Sequence, residues 1–227
     1  MKDICISIPA YNDGESLIVL VDETVALCRA MQLDFEVFVI NDGSQDNTLQ
    51  VLQKLKDTYP EVQYLHHHTN RGFGTTLKEI FTLPNSKWIL FLPGDNQFPA
   101  KNIERFILLR EKFDFIIGYR KRRNDNLKRK LYSYIYNMLI TFISGYEVND
   151  VNSIVFFKKD ILQQFALNCT SAFIHAELFI KASATQVPLI EVEVLHQKRA
   201  FGFGAGGSLR VAIPVIKDAI KFYFGKL

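Results

Sequence analysis

Residues 88–100 read WILFLPGDNQFPA. Trp88 to Leu92 are five apolar residues in a row, the length of a strand buried on both faces. They run straight into Pro93, Gly94, Asp95, Asn96 and Gln97, which end a strand and turn the chain. Asp95 and Gln97 stand two apart, so in extended chain they point the same way. The stretch therefore places a pair of oxygen donors at the exit of a core strand.

The same arrangement recurs on either side of it. Short apolar runs at 4–10 (ICISIPA), 35–40 (FEVFVI), 62–67 (VQYLHH) and 113–119 (FDFIIGY) read as strands. Helical periodicity separates them. Leu17, Leu20, Val21, Thr24, Cys28 and Met31 share one face, Val51, Leu52 and Leu55 another, and further helices are expected over 75–82 and 102–112. Strands buried on both faces and alternating with helices imply an α/β fold with a doubly wound, mostly parallel sheet flanked by helices. Ligands of such sheets collect outside the carboxyl ends of the strands. Every unusual motif of the first half falls there: PAYNDGES (9–16), NDGSQDNT (41–48), NRGFG (70–74), PGDNQ (93–97) and GYRKRR (118–123). After about residue 125 the pattern loosens into helices and short strands, SIVFFKK (153–159) and PLIEVEVLHQ (188–197), with no internal repeat or linker.

Composition bounds the function. The chain has 227 residues, 48% of them hydrophobic and 22% charged, which suits one large domain or two small ones and not a disordered chain. A net charge of +3 does not argue for nucleic acid. The charge is concentrated, however: seven of the eleven residues from Arg120 to Lys130 are basic. Three scattered cysteines without a CxxC pair fit a reducing compartment. The first residues lack the apolar core of a signal peptide, and no run reaches the roughly 18 apolar residues of a membrane span. These features imply a cytoplasmic protein, or one peripheral on the inner face of a membrane.

Individual motifs carry two readings each. Ser44 and Asp46 suit an ordinary helix N-terminus, which leaves Asn41 and Asp42 without a task; a carboxylate at a strand end can accept from a base N–H or a ribose hydroxyl. Gly72 and Gly74 suit a turn, or a close backbone approach to a phosphate or ribose. NRGFG lacks the GxGxxG spacing, which disfavours a dinucleotide fold. Of His66, His67 and His68, only His66 and His68 can converge on a strand, where a polar strand end is the simpler reading and a metal the rarer one. His175 and Glu177 stand at the head of an apolar helix, as surface caps or as site residues.

Taken in order, IPAYNDGESL, VINDGSQDNT, NRGFGTTLKEIF, FLPGDNQFP, IIGYRKRR…RKLYS, DVNSIVFF and HQKRAFGFG resemble the landmarks of family 2 glycosyltransferases with the GT-A fold. The chain looks most like the branch that makes dolichol-phosphate and polyprenyl-phosphate sugars. The resemblance covers roughly residues 3–208. It implies one GT-A domain over 1–227: a nucleotide-sugar-binding half (1–123), an acceptor half (124–208) and a C-terminal amphipathic helix (209–227). It implies that Pro9, Ala10, Tyr11 and Asp13 line the base and ribose, with Asp13 where the family usually has Glu, and that Asp42 recognises the base. Asp95 and Gln97 match the last two of three metal and diphosphate ligands, for Mg²⁺ or Mn²⁺; Pro93 stands where the first Asp would be. Arg120, Arg129 and Arg199 match positions that meet phosphates, and Asp150 and Glu177 fall near the acceptor side.

The implied reaction is inverting transfer of a sugar from a UDP- or GDP-sugar. A lipid-phosphate acceptor is already an anionic nucleophile, whereas a hydroxyl of a polysaccharide or glycolipid would want a general base, with Glu177 or Asp150 as candidates. A third reading is a degenerate nucleotide-sugar binder, which only Pro93 favours. At the C-terminus, Ile213, Ile216, Ile220 and Tyr223 or Phe224 fall along one helical side, with Lys217, Asp218 and Lys221 on the other and Pro214 expected in the first turn. That apolar side is expected either to pack on the domain or a second subunit, or to lie in a membrane surface.

Overall fold

The computed structural model describes residues 1–121, 127–198 and 209–225, with the side chains of 127–129 and 209–212 excepted. Arg199 and the side chain of Arg129 thus lie outside the described residues.

The first three strands are β1 (Lys2–Ala10), β2 (Phe35–Asn41) and β3 (Val62–His66), joined through helices α1 (Gly14–Ala30) and α2 (Thr48–Thr58). Helix α3 (Phe73–Thr82) leads to β4 (Ser86–Phe91), and α4 (Asn102–Leu109) leads to β5 (Phe115–Tyr119). Then come α5 (Leu127–Ser144), β6 (Val155–Lys158), a 3₁₀ turn (Lys159–Gln163), α6 (Ile174–Ala184), β7 (Leu189–Glu193) and α7 (Leu209–Tyr223). All seven strands form one sheet in the order β3-β2-β1-β4-β6-β5-β7. It is parallel except for β6, which runs antiparallel to both β4 and β5. The run at 153–159 therefore separates two strands that the sequence would place side by side.

Helices cover both faces because the strands are apolar on both. Along β1, Ile4, Ile6 and Ile8 pack against Leu17, Leu20, Val21, Val25 and Cys28 of α1. The intervening Cys5 faces the other layer, where Leu77, Ile80 and Phe81 of α3 meet Phe173, Ile174 and Phe179. Ser7 is buried on that face and donates to Ile80 O at 2.9 Å, so its hydroxyl is satisfied.

Two helices leave apolar side chains in solvent. On α5 these are Leu131, Tyr132, Tyr134, Ile135, Met138 and Phe142. On α7, Val215, Ala219 and Phe222 pack on the core, and buried Asp218 accepts from Ser171 N at 3.2 Å. The opposite side of α7, with Ile213, Ile216, Ile220, Tyr223 and also Phe224, is exposed. The apolar stripe seen in the sequence does not pack on the domain; Asp218 and its neighbours do. Pro214 sits inside α7 and not in its first turn.

His175 is buried in the second layer, its ring 4.7 Å from Phe91 and 5.4 Å from Phe81. Nδ1 donates to Val151 O at 3.3 Å, and Nε2 has no hydrogen-bond partner among the described residues. Burial pulls the imidazole down to about 4 from 6.5. Between those two values the unfolded chain takes up a proton that the folded protein refuses. Stability should therefore fall as pH is lowered through that window, by roughly 3 kcal/mol at most. Urea midpoints across this range should show the slope in the wild type and a flatter one in His175→Gln; equal slopes would show that another group sets it.

Candidate active site

The loops after β1 and β2 are sewn together. Asn12, at φ 56°, donates from its backbone N to Ser44 Oγ (2.9 Å) and accepts Gln45 N on Oδ1 (2.8 Å). Asn41, fully buried, accepts Ser44 N on Oδ1 at 3.0 Å and so shapes the turn. Asp46 accepts Thr48 N and, weakly at 3.4 Å, Gly14 N. Pro9 and Ala10 are buried at this edge and Tyr11 is 45% exposed above it. Asp13 turns back to accept Tyr11 N at 3.2 Å.

Asp42 has more to do than the sequence shows. Its carboxylate is 3% exposed as a residue and accepts three protein donors: Arg71 N (2.8 Å) and His67 Nδ1 (2.9 Å) on Oδ1, and Gly72 N (3.0 Å) on Oδ2. Expected as a base reader, it is built into the structure as the anchor of the 70–72 loop. Gly72 is at φ 90° with open space on its side-chain face, so it keeps the backbone-approach reading. Gly74 does not: a Cβ there would lie 2.2 Å from Thr170 O and would strike Ser171, so this glycine admits protein backbone and not a ligand.

The loop after β4 is a turn and not extended chain. Asn96 is at φ 52° and Gln97 N donates to Asp95 Oδ1 at 3.1 Å. Residues 195–197 clasp it from outside. Gln197 N donates to Gln97 O (2.8 Å), Gln197 Nε2 to Asn96 O (2.8 Å), and Asn102 exchanges bonds with Leu195 N and O. Gln97 Nε2 points to Gln197 O at 3.5 Å, a bond that uses the amide nitrogen and not its oxygen. Asn96 Oδ1 is buried with no hydrogen-bond partner among the described residues. Among the described residues no three His, Cys, Asp or Glu gather to hold a metal. The donors on this loop are one carboxylate and amide oxygens, a set that fits a hard cation such as Mg²⁺ or Mn²⁺ with several ligands from elsewhere, and not a soft metal.

The acceptor-side residues separate into two roles. Arg120 and Asp150 form a bidentate pair, Nε–Oδ2 2.5 Å and Nη2–Oδ1 2.8 Å, with the guanidinium 5.7 Å from the Phe98 ring centre. Glu191 holds the turn beneath, accepting Asn149 N (2.9 Å), Asn149 Nδ2 (2.5 Å) and Asp150 N (3.1 Å). Burial raises the Glu191 carboxyl above its usual range against the pull of those donors. A cavity of about 900 Å³ opens beside Arg120, lined by Lys121, Lys130, Tyr134, Met138 and Val148. Glu177 is not there. It is fully buried in the second layer, where it accepts Asn168 N and Cys169 N (2.8 Å each) and pairs with Lys181 at 2.6 Å. The expectation of a site or base role for Glu177 is corrected: it holds a loop.

The Glycosyl transferase family 2 model matches residues 5–175. The chain belongs to this family. Among its relatives, the undecaprenyl-phosphate 4-deoxy-4-formamido-L-arabinose transferase of Photorhabdus laumondii is 30% identical over 207 residues, covering 89% of this chain and 62% of that one. The enzyme of the same description from Pectobacterium carotovorum is 28% identical over 210 residues, with the same coverage. The chain thus spans 62% of the length of these relatives. Glucosyl-3-phosphoglycerate synthase of Mycobacterium tuberculosis, solved with Mn²⁺, uridine diphosphate and phosphoglyceric acid, superposes with a TM-score of 0.72 at 12% identity over 99% of this chain and 78% of that one. The same enzyme with Mg²⁺ and uridine diphosphate gives 0.72 at 11% identity, covering 99% and 79%. These likenesses establish a GT-A fold for this family 2 member.

Glu177→Ala should lower stability by roughly 3 kcal/mol, because two buried amides and a lysine lose their acceptor. Thermal melts should register the loss while turnover per folded molecule stays near wild type; a folded variant without turnover would return Glu177 to the site.

Proposed function

We propose that this family 2 member transfers a sugar, with inversion, from a nucleotide diphosphate sugar to a polyprenyl-phosphate-type lipid at a membrane surface. The observation that carries this reading is the cavity beside Arg120. It offers cations (Lys121, Lys130) next to apolar side chains (Tyr134, Met138, Val148), with Glu147 and Asn149 also on its wall, and that pairing of cations with apolar surface is what a phosphate head on a hydrocarbon chain requires. The relatives named for undecaprenyl-phosphate support the same acceptor class.

The donor side is the rim formed by Pro9–Asp13, Asp42–Ser44, Gly72 and the 93–97 loop. Asp95 and Gln97 would hold Mg²⁺ or Mn²⁺, which supplies positive charge to the leaving diphosphate. Pro93 leaves this site one carboxylate short, so diphosphate neutralisation falls more heavily on basic side chains. Arg120 is presented to the cavity by Asp150, and Arg129 and Arg199 are assigned to phosphate by resemblance. A lipid-phosphate oxygen attacks the anomeric carbon as the bond to the diphosphate breaks, and the nucleoside diphosphate leaves with the bonding pair. Such a nucleophile needs no general base. That suits a site whose two candidate bases are engaged elsewhere, Asp150 by Arg120 and Glu177 in the second layer. The same engagement weighs against a hydroxyl acceptor.

Attachment is proposed through the exposed sides of α5 and α7, which set aromatic and aliphatic side chains beside lysines. Among the described residues no helix is long and apolar enough to cross a membrane. Contact through these faces should be reversible and should weaken with salt, since surface charge is screened over about 8–10 Å.

Release of UDP or GDP from a panel of sugar nucleotides should rise on addition of polyprenyl phosphate in the presence of Mg²⁺ or Mn²⁺. In Asp95→Ala it should drop by about a hundredfold or more with folding intact, the loss of a main transition-state charge contact. Full activity of that variant, or of wild type in excess EDTA, would remove Asp95 and the metal from the reading. Sedimentation with anionic vesicles at low salt should be lost in the double variant Ile216→Glu/Ile220→Glu. Unchanged sedimentation would exclude α7, and loss of a dimer instead would assign its face to a second copy.

A further inference from the structure

The middle residue of the 66–68 histidine run is the one that turns inward. His66 and His68 stay near the surface with their rings 5.8 Å apart, whereas the His67 side chain is 6% exposed. Its two ring nitrogens each meet a carboxylate: Nδ1 lies 2.9 Å from Asp42 Oδ1 and Nε2 2.8 Å from Glu79 Oε2. Arg71 Nη1 also approaches Nε2, but at 3.5 Å, and its short contact is with Glu79 Oε1 at 2.6 Å. Asp42 also accepts two backbone N–H groups, so Nδ1 carries the proton and donates to it. The Nε2 contact lacks hydrogen-bond direction, and Glu79 Oε2 has no hydrogen-bond partner among the described residues.

We propose that His67 is a positioning residue for the donor site: its Nδ1–H, 2.9 Å from Asp42 Oδ1, fixes Asp42 on the amides of Arg71 and Gly72. This rests on the reading of the rim as the nucleotide-sugar site. His67 itself lies beneath the rim and acts through the loop. Its backbone extends the pairing of β2 with β3, since His67 N donates to Asn41 O at 2.9 Å. From there the ring reaches across to α3 through Glu79 and to the end of β2 through Asp42. Without the ring, Asp42 would lose its one side-chain donor among the described residues and keep only the two backbone amides. The 70–72 loop, with Gly72 open to solvent on one side, would then lose the anchor that sets its height against a bound diphosphate.

The first measurement needs no variant. Nitrogen NMR of the wild type should show a proton on Nδ1 of His67 hydrogen-bonded to Asp42; a lone pair on Nδ1 would overturn the proposal. In His67→Gln the amides of Arg71 and Gly72 should exchange faster with solvent. The donor KM should rise about tenfold with kcat within about twofold, the signature of a misplaced binding loop. His67→Asn, whose side-chain amide can stand near the Nδ1 position and donate to Asp42, should recover part of that KM loss, which a general loss of packing would not do. Unchanged amide exchange in His67→Gln, or equal losses in KM and kcat without recovery in His67→Asn, would overturn the proposal. Failure of the wild type to bind UDP or GDP would overturn the donor reading instead, while the ring spectrum and amide exchange still decide the role of His67.

Discussion

Backbone N–H groups that leave a parallel sheet must find acceptors outside the ladder, and in this protein they find carboxylates and amide oxygens. Asp42 takes the amides of Arg71 and Gly72, Asn41 that of Ser44, Glu191 those of Asn149 and Asp150, Glu177 those of Asn168 and Cys169, and Asp218 that of Ser171. Each of these acceptors sits on or just beyond a strand or helix and reaches across a gap in sequence. The rim is therefore tied down by hydrogen bonds, although it is made of loops. A buried carboxylate in such a place has its desolvation offset by the amides that donate to it.

This use of acidic residues leaves few of them for chemistry. Asp95 remains on the rim, partly exposed, beside amide oxygens; Asp150 serves to aim Arg120. The cavity beside Arg120 carries the cations Lys121 and Lys130 together with the Glu147 carboxylate. On the proposed reading its cations would meet an acceptor phosphate, which arrives already ionised and needs no base. The exposed apolar sides of α5 and α7 lie in the half of the chain that carries the cavity, the half where a lipid would have to approach.

Much of this was legible in the sequence because it is local. Alternating strands and helices, and the polar turns after β1 to β5, follow from periodicity and turn residues, and the structure places those turns on one rim. The antiparallel β6 was not legible, because four residues of strand carry no sign of which neighbours they pair with. Glu177 was misplaced for a related reason: a carboxylate at the head of an apolar helix reads alike whether it faces solvent or two backbone amides. The partners of Asp42 and Arg120 lie 25 to 30 residues away, so spacing could not show that their charges are already engaged. Strand alternation singles out His66 and His68, whereas His67 is the buried one, and its approach to Asp42 and Glu79 becomes visible only once β2, β3 and α3 are packed.

The most direct test compares two acceptors that differ only in their head group, a polyprenyl phosphate and the corresponding polyprenol, with the same sugar nucleotide. Transfer to the phosphate alone, yielding a lipid-linked sugar released by mild acid as a glycosyl phosphodiester is, is the expected result. Equal transfer to the alcohol, or a product resistant to mild acid, would contradict a phosphate nucleophile at the Arg120 cavity.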